Sequence, residues 1–298
     1  MENSPKGGQN QKRPSPAIAE YIVPILQTHI GVTRGNKNPV EFPMMITPRL
    51  KTSLRDWIKE EHQHKKLPSI SSILHVFGKL LAAVQFMHTQ RVSHNSLYPG
   101  SFTLKTWENR NEAQARWVLS GFEYATSTSP NETMYAHLDP ETFPLAFVAP
   151  EHDLPTVDGV KSKLANFKED AYSLGLILIE MLCNFRPTRE ANGRNLSWLF
   201  AGQDALFRFP TDSPNGLLDV NQEMTDLLSN VQLCQEVWQR IYPRENWKSV
   251  FSYYMLVEQK TFKGVLVMVM SLVNPDSEKR CSVEQISALW SLLFEPYY

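Results

Sequence analysis

The densest apolar pattern in the chain runs from Asp170 to Leu182, DAYSLGLILIEML. Leu174, Ile177, Leu178, Met181 and Leu182 recur at three- and four-residue steps, while Leu176 and Ile179 fill the opposite side. A helix apolar nearly all round is buried on every face. Asp170 stands at its start, where a carboxylate accepts backbone N–H groups and suits the helix dipole. Gly175 costs about 1 kcal/mol against alanine inside a helix, which predicts a close neighbour there. A second helix is predicted over Ser69–His88, with Ile73, Val76, Phe77, Leu80, Leu81, Val84 and Met87 on one face. Thr52 or Ser53 reads as the cap of a helix beginning LRDWIKEE. Thr261–Val273 and Ser282–Phe294 read as two more, with Ser282 as a cap and Asn274-Pro275 between them. Near the amino terminus, Tyr21–Leu26 and Phe42–Ile46 read as strands joined by a polar loop with Gly31, Gly35 and Asn36.

Composition adds bounds. The chain has 298 residues, 42% of them hydrophobic and 20% charged, enough for a substantial core. A net charge of −1 gives no electrostatic case for nucleic acid or an anionic membrane. Cys183, Cys234 and Cys281 are widely spaced and odd in number, which predicts reduced thiols in a cytoplasmic or nuclear setting. The apolar runs around Leu174–Leu182 and Val265–Val273 are too short to span a bilayer. His62, His64 and His75 invite a metal, but positions two apart do not share a helix face, and solvent-facing histidines are expected. Residues 1–16 carry three prolines and no large apolar side chain, and a disordered tail is expected.

Four fragments appear in a meaningful order: His94-Asn95-Ser96-Leu97-Tyr98-Pro99, then Phe147-Val148-Ala149-Pro150-Glu151, then the Asp170 helix, then Asn274-Pro275 with Arg280. In that order the chain resembles the carboxy-terminal lobe of a protein kinase, roughly from Tyr21 to Leu293. The resemblance implies a mainly α (α+β) fold. Residues 17–50 would supply residual amino-terminal strands and the hinge at Thr47–Leu50. Residues 51–298 would form the carboxy-terminal lobe, with a long helical insertion around 186–246. It also implies that Glu151 pairs with Arg280, and that His94, Phe122 and Asp170 stack and hydrogen-bond across the core. The insertion carries Trp198, Phe200, Phe207, Phe209, Trp238 and, just beyond it, Trp247, which predicts helices packed on the lobe rather than disorder, with a partner surface as the alternative for any of these rings left exposed.

The matched positions depart from the family where chemistry is done. A kinase would read H-R-D-L-K-P-x-N where this chain reads H-N-S-L-Y-P-G-S. Ser96 stands at the aspartate that handles the substrate proton, and Tyr98 at the lysine that neutralises the transferring phosphoryl group. Ser101 stands at an asparagine metal ligand, and Asn95 at the arginine that would pair with an activation-segment phosphate. VLSGFEYA resembles the D-F-G strand and turn: Phe122 matches, Gly121 (or Ser120, one residue back) replaces the metal-binding aspartate, and Glu123 replaces the glycine. Before Tyr21 there is no room for a glycine-rich loop, strand lysine or helix glutamate. Gly31–Gly35 lacks the spacing that cradles phosphates. The expectation is a catalytically inactive, pseudokinase-type interaction module without a cofactor, binding another protein or a second copy of itself through the residual strands. Two alternatives stand beside it. One is rearranged ATP-dependent phosphotransfer through Glu123 or Asp139/Glu141; the other is an incomplete product whose missing strands lie upstream of Met1.

Overall fold

The computed structural model describes residues 21–23, 27–32, 41–47, 50, 52–64, 68–106, 115–127, 147–149, 167–184, 229–242, 245–274 and 277–294. Two compact units make up the chain, Met1–Arg49 and Leu50–Tyr298.

In the first unit, strand β1 (Gln27–Val32) pairs antiparallel with β2 (Glu41–Ile46), in a register from Gln27 opposite Ile46 to Val32 opposite Glu41. The first strand described is therefore QTHIGV and not the predicted run Tyr21–Leu26, of which residues 24–26 lie outside the described residues. Pairing selects QTHIGV instead, although it is the more polar segment, because ladder hydrogen bonds and register decide a strand more than composition does. Pro43 lies within β2, and a two-stranded sheet has no central strand in which its missing N–H would break a ladder.

The second unit is mainly helical. Ser53 ends the short strand β3 (Thr52–Ser53), and its Oγ accepts the Asp56 N–H at 3.2 Å, starting α1 (Leu54–His64). Helix α2 (Ile70–Thr89) begins at Ser69, whose Oγ accepts the Ser72 N–H. Its predicted face, Ile73 to Met87, is buried. By length and composition α2 could cross a bilayer, but its apolar positions are spent inside this fold. Strand β4 (Val92–Ser93) follows. The hairpin of β5 (Phe102–Thr106) and β6 (Arg116–Leu119) joins β3 in a three-stranded sheet, and β7 (Thr126–Ser127) pairs with β4.

Helix α3 (Phe167–Cys183) is the central helix predicted from its pattern, buried from Glu169 through Cys183. It packs on α6 (Gln259–Leu272), itself buried from Phe262 onward. Gly175 makes the approach possible: a Cβ there would lie 2.5 Å from Val273 Cγ1 and 2.7 Å from Leu272 Cβ. Helix α7 (Val283–Phe294) closes the core, opened by a reciprocal cap in which Ser282 and Gln285 exchange backbone and side-chain bonds.

Of the insertion, residues 229–242 and 245–246 are described, including α4 (Val231–Ile241), which leads into α5 (Trp247–Val257). Trp238 is fully buried, stacked on Tyr242 at 5.1 Å and edge-on to Phe262 at 5.1 Å, and its Nε1 donates to the Trp247 carbonyl. This part of the insertion packs into the lobe as predicted. Trp198, Phe200, Phe207 and Phe209 lie outside the described residues, as do residues 1–16 and 107–114. Two of the three histidines, His62 and His75, do not simply face solvent. His62 bonds the Met181 carbonyl and His75 the Ser71 carbonyl, each at 2.9 Å, because a half-buried ring needs a partner.

Candidate functional site

Pairing of β4 with β7 sets the loop His94–Ser101 beside the turn Ser120–Ala125. The Ser120 N–H, bonded to the Ser101 carbonyl at 2.8 Å, ties the two again. Asp170 anchors the loop from below. Its carboxylate accepts the backbone N–H groups of His94 and Asn95, both at 2.8 Å, the Ser93 hydroxyl at 3.2 Å and His88 Nε2 at 2.9 Å. This corrects the expectation that Asp170 caps its own helix. The helix begins three residues earlier, at Phe167, so Asp170 lies within the first turn and points across the core. Burial alone would raise its pKa; the bond and charge of His88, with His94, outweigh that and hold it below the usual carboxylate value.

His94 is buried and its ring lies 5.1 Å from that of Phe122. Nε2 is 3.0 Å from the Ser120 carbonyl, which can only accept, so Nε2 carries a proton. Burial pushes its pKa below the ordinary value, against the pull of Asp170 and Glu123, and the neutral ring therefore leaves Nδ1 as an acceptor. Ser96 Oγ lies 3.2 Å from that Nδ1 and 3.4 Å from the Gly121 carbonyl. Asn95 adopts the left-handed conformation at φ 65°. Its amide donates to the Tyr124 carbonyl at 2.8 Å and to Thr126 Oγ1 at 2.9 Å, so it fixes the entry to the following segment without a phosphate.

Tyr98 is half-buried, with the Arg55 guanidinium 5.6 Å above its ring. Ser101 is buried and donates to the Ser96 carbonyl at 3.3 Å. Gly121, at φ 82°, holds the turn in a conformation that L side chains rarely adopt. The Glu123 Oε2 comes within 3.6 Å of where a Gly121 side chain would begin, and Ser101 Oγ within 3.7 Å. The 3₁₀ turn Phe122–Tyr124 brings Glu123 to this place.

Arg280 is buried, donating through Nε to the Asn274 carbonyl at 2.8 Å and through Nη1 to the Lys168 carbonyl at 3.0 Å, with its guanidinium 4.8 Å over the Tyr172 ring. Glu151, its expected partner, lies outside the described residues, as do Asp139 and Glu141. His88, Ser93 and Arg55 were not singled out from the sequence. The cue for His88 was its place as the basic residue in the last turn of an amphipathic helix.

The sequence matches the protein kinase domain over residues 32–289. It is 29% identical over 173 residues to the serine/threonine-protein kinase PknD of Chlamydia trachomatis, covering 50% of this chain and 17% of that protein. It is 26% identical over 214 residues to the eukaryotic translation initiation factor 2-alpha kinase 3 of Rattus norvegicus, covering 60% of this chain and 16% of that protein. The chain thus spans about one sixth of the length of these relatives. With its buried central helix, its Asp170-anchored loop and its small sheet, this chain belongs to the protein kinase domain family.

Proposed function

We propose that this chain is a pseudokinase: a kinase-fold interaction module that does not transfer phosphate. The observation that carries the reading is Ser96. It stands at the position of the general base, without a carboxylate, and its hydroxyl is turned inward to His94 and Gly121. Gly121 and Ser101 offer no carboxylate at the metal positions, and an aromatic ring at Tyr98 replaces a cation. Phosphoryl transfer is almost wholly positioning and charge neutralisation, so these losses remove its main sources of rate. A partner is expected on the hairpin of the first unit. Its two strands pair only with each other among the described residues, and isolated hairpins are marginal in water. The occupant is another protein or a second copy. Ile22→Lys with Met44→Lys then weakens association while the chain stays folded; association untouched by both would refute this face.

A second reading, atypical phosphotransfer, is favoured by the Glu123 carboxylate beside Gly121 and by relatives named as kinases. One experiment separates the two. Under the first reading, ATP with magnesium neither shifts the melting temperature nor labels protein or peptide. Under the second it does both, and Glu123→Ala abolishes them.

A further inference from the structure

The exchange of a carboxylate for Ser96 leaves more than a vacancy in phosphotransfer. Ser96 Oγ lies 3.2 Å from His94 Nδ1, and His94 Nε2 donates to the Ser120 carbonyl at 3.0 Å. A hydroxyl, a neutral imidazole whose free nitrogen faces it, and a third group that fixes the imidazole tautomer are the parts of an activated serine nucleophile. The order Ser96, His94, Ser120 carbonyl supplies all three within one buried cluster. The two groups that bear on His94 electrostatically, Asp170 and Glu123, are both acidic and favour the imidazolium that forms when it takes the serine proton.

We propose that Ser96 is a nucleophile that accepts an acyl group from an activated ester or thioester. In this step Ser96 Oγ bonds to the acyl carbon and its proton passes to His94 Nδ1. The bond from the acyl carbon to the leaving oxygen or sulfur breaks, and the leaving group takes the proton back from His94. The product is an acyl-serine ester and a free alcohol or thiol. No metal, oxidant or reductant enters. A phosphoryl donor is the poorer fit. It brings several negative charges to a place where Glu123 Oε2 lies beside Gly121, with Tyr98 and Ser101 offering no counter-charge. A neutral carbonyl does not suffer that repulsion on arrival. This inference is independent of the partner-binding role, and of whether residual nucleotide binding survives.

The test uses the full chain and p-nitrophenyl acetate as the probe, followed by release of p-nitrophenolate, intact mass and peptide mapping. One acetyl group is expected on Ser96, at a rate at least about 100-fold above that of the exposed Ser127 in the same molecule. Because Ser127 is the more accessible, a faster Ser96 reports activation and not access. The rate should rise with pH through the titration of His94 and then level off. Ser96→Ala should lose the labelled peptide while keeping its far-ultraviolet circular dichroism. If Ser96→Ala fails to fold, the comparison of Ser96 with Ser127 within the unaltered chain still decides. Labelling confined to surface lysines, or a Ser96 rate no greater than that of Ser127, overturns the proposal.

Discussion

Asp170 Oδ1 accepts the backbone N–H of Asn95 at 2.8 Å, and Asn95 is one of three described non-glycine residues at positive φ. The carboxylate therefore helps hold a loop conformation that the loop would not adopt alone. Asp170→Ala leaves two buried N–H groups and His88 without their acceptor. It should cost about 3–5 kcal/mol, read as a lower urea midpoint at unchanged slope.

The same position separates two contributions of Asn95. Asn95→Ala loses the bonds to Tyr124 and Thr126 and also meets the left-handed penalty of a Cβ. Asn95→Gly loses only the bonds. The alanine variant should be less stable than the glycine variant by about 1 kcal/mol. Equal stabilities would show that φ at this site relaxes freely.

Acid should destabilise the protein in two stages. Burial holds folded His94 below the ordinary histidine value of 6.5, so under that pH the unfolded chain binds more protons there. The stability that neutral His94 contributes is complete above 6.5 and is lost as pH falls toward the folded value. Folded Asp170 also lies below its ordinary value of 3.8, and a second loss sets in beneath that pH. Urea titrations across pH 7 to 3 check this, with His94→Gln expected to flatten the first stage only.

Gly175→Ala should be destabilising by about 1–3 kcal/mol, although alanine is the better helix former, because its methyl group would strike Val273 and Leu272. Adding Val273→Ala should recover part of the loss. Strict additivity of the two changes would mean that the contact does not limit the packing of α3 on α6.

Arg280→Ala removes a buried cation bonded to two carbonyls and should cost about 3 kcal/mol or more. Arg280→Lys should rescue little, since a lysine cannot reproduce the planar fork over Tyr172. With Glu151→Ala, the double variant should cost clearly less than the sum of the two singles; additivity would separate the residues.

The helices were legible because their signals are local. Ser69, Ser53 and Ser282 mark starts by chemistry, and the all-round apolar pattern of α3 predicts its burial. Helix α5 was not predicted, although Trp247, Val250, Phe251 and Tyr254 follow helical spacing, because the exposed Tyr253, Leu256 and Val257 put apolar residues off that face and blur its period. The strand β1 was misplaced because its identity depends on a partner nine residues on at the nearest pair, Val32 with Glu41, and 19 at the farthest, Gln27 with Ile46, not on its own composition. At the site, the residue identities were readable but their directions were not. Whether Ser96 faces His94, or Glu123 turns toward Gly121, depends on two backbone turns set by long-range pairing.

The ring of Tyr98 has a consequence two residues further on. A Cβ built on Gly100 would clash with the edge of that ring at Cε2 and Cζ, so a larger residue at 100 must displace it. The two positions are thus linked in the order in which they can change. A lysine at 98 frees 100 to vary, whereas a change at 100 made first must displace the ring from beneath Arg55. A path toward a phosphate-neutralising loop therefore runs more directly through 98 before 100, because the reverse order first requires the Tyr98 ring to move.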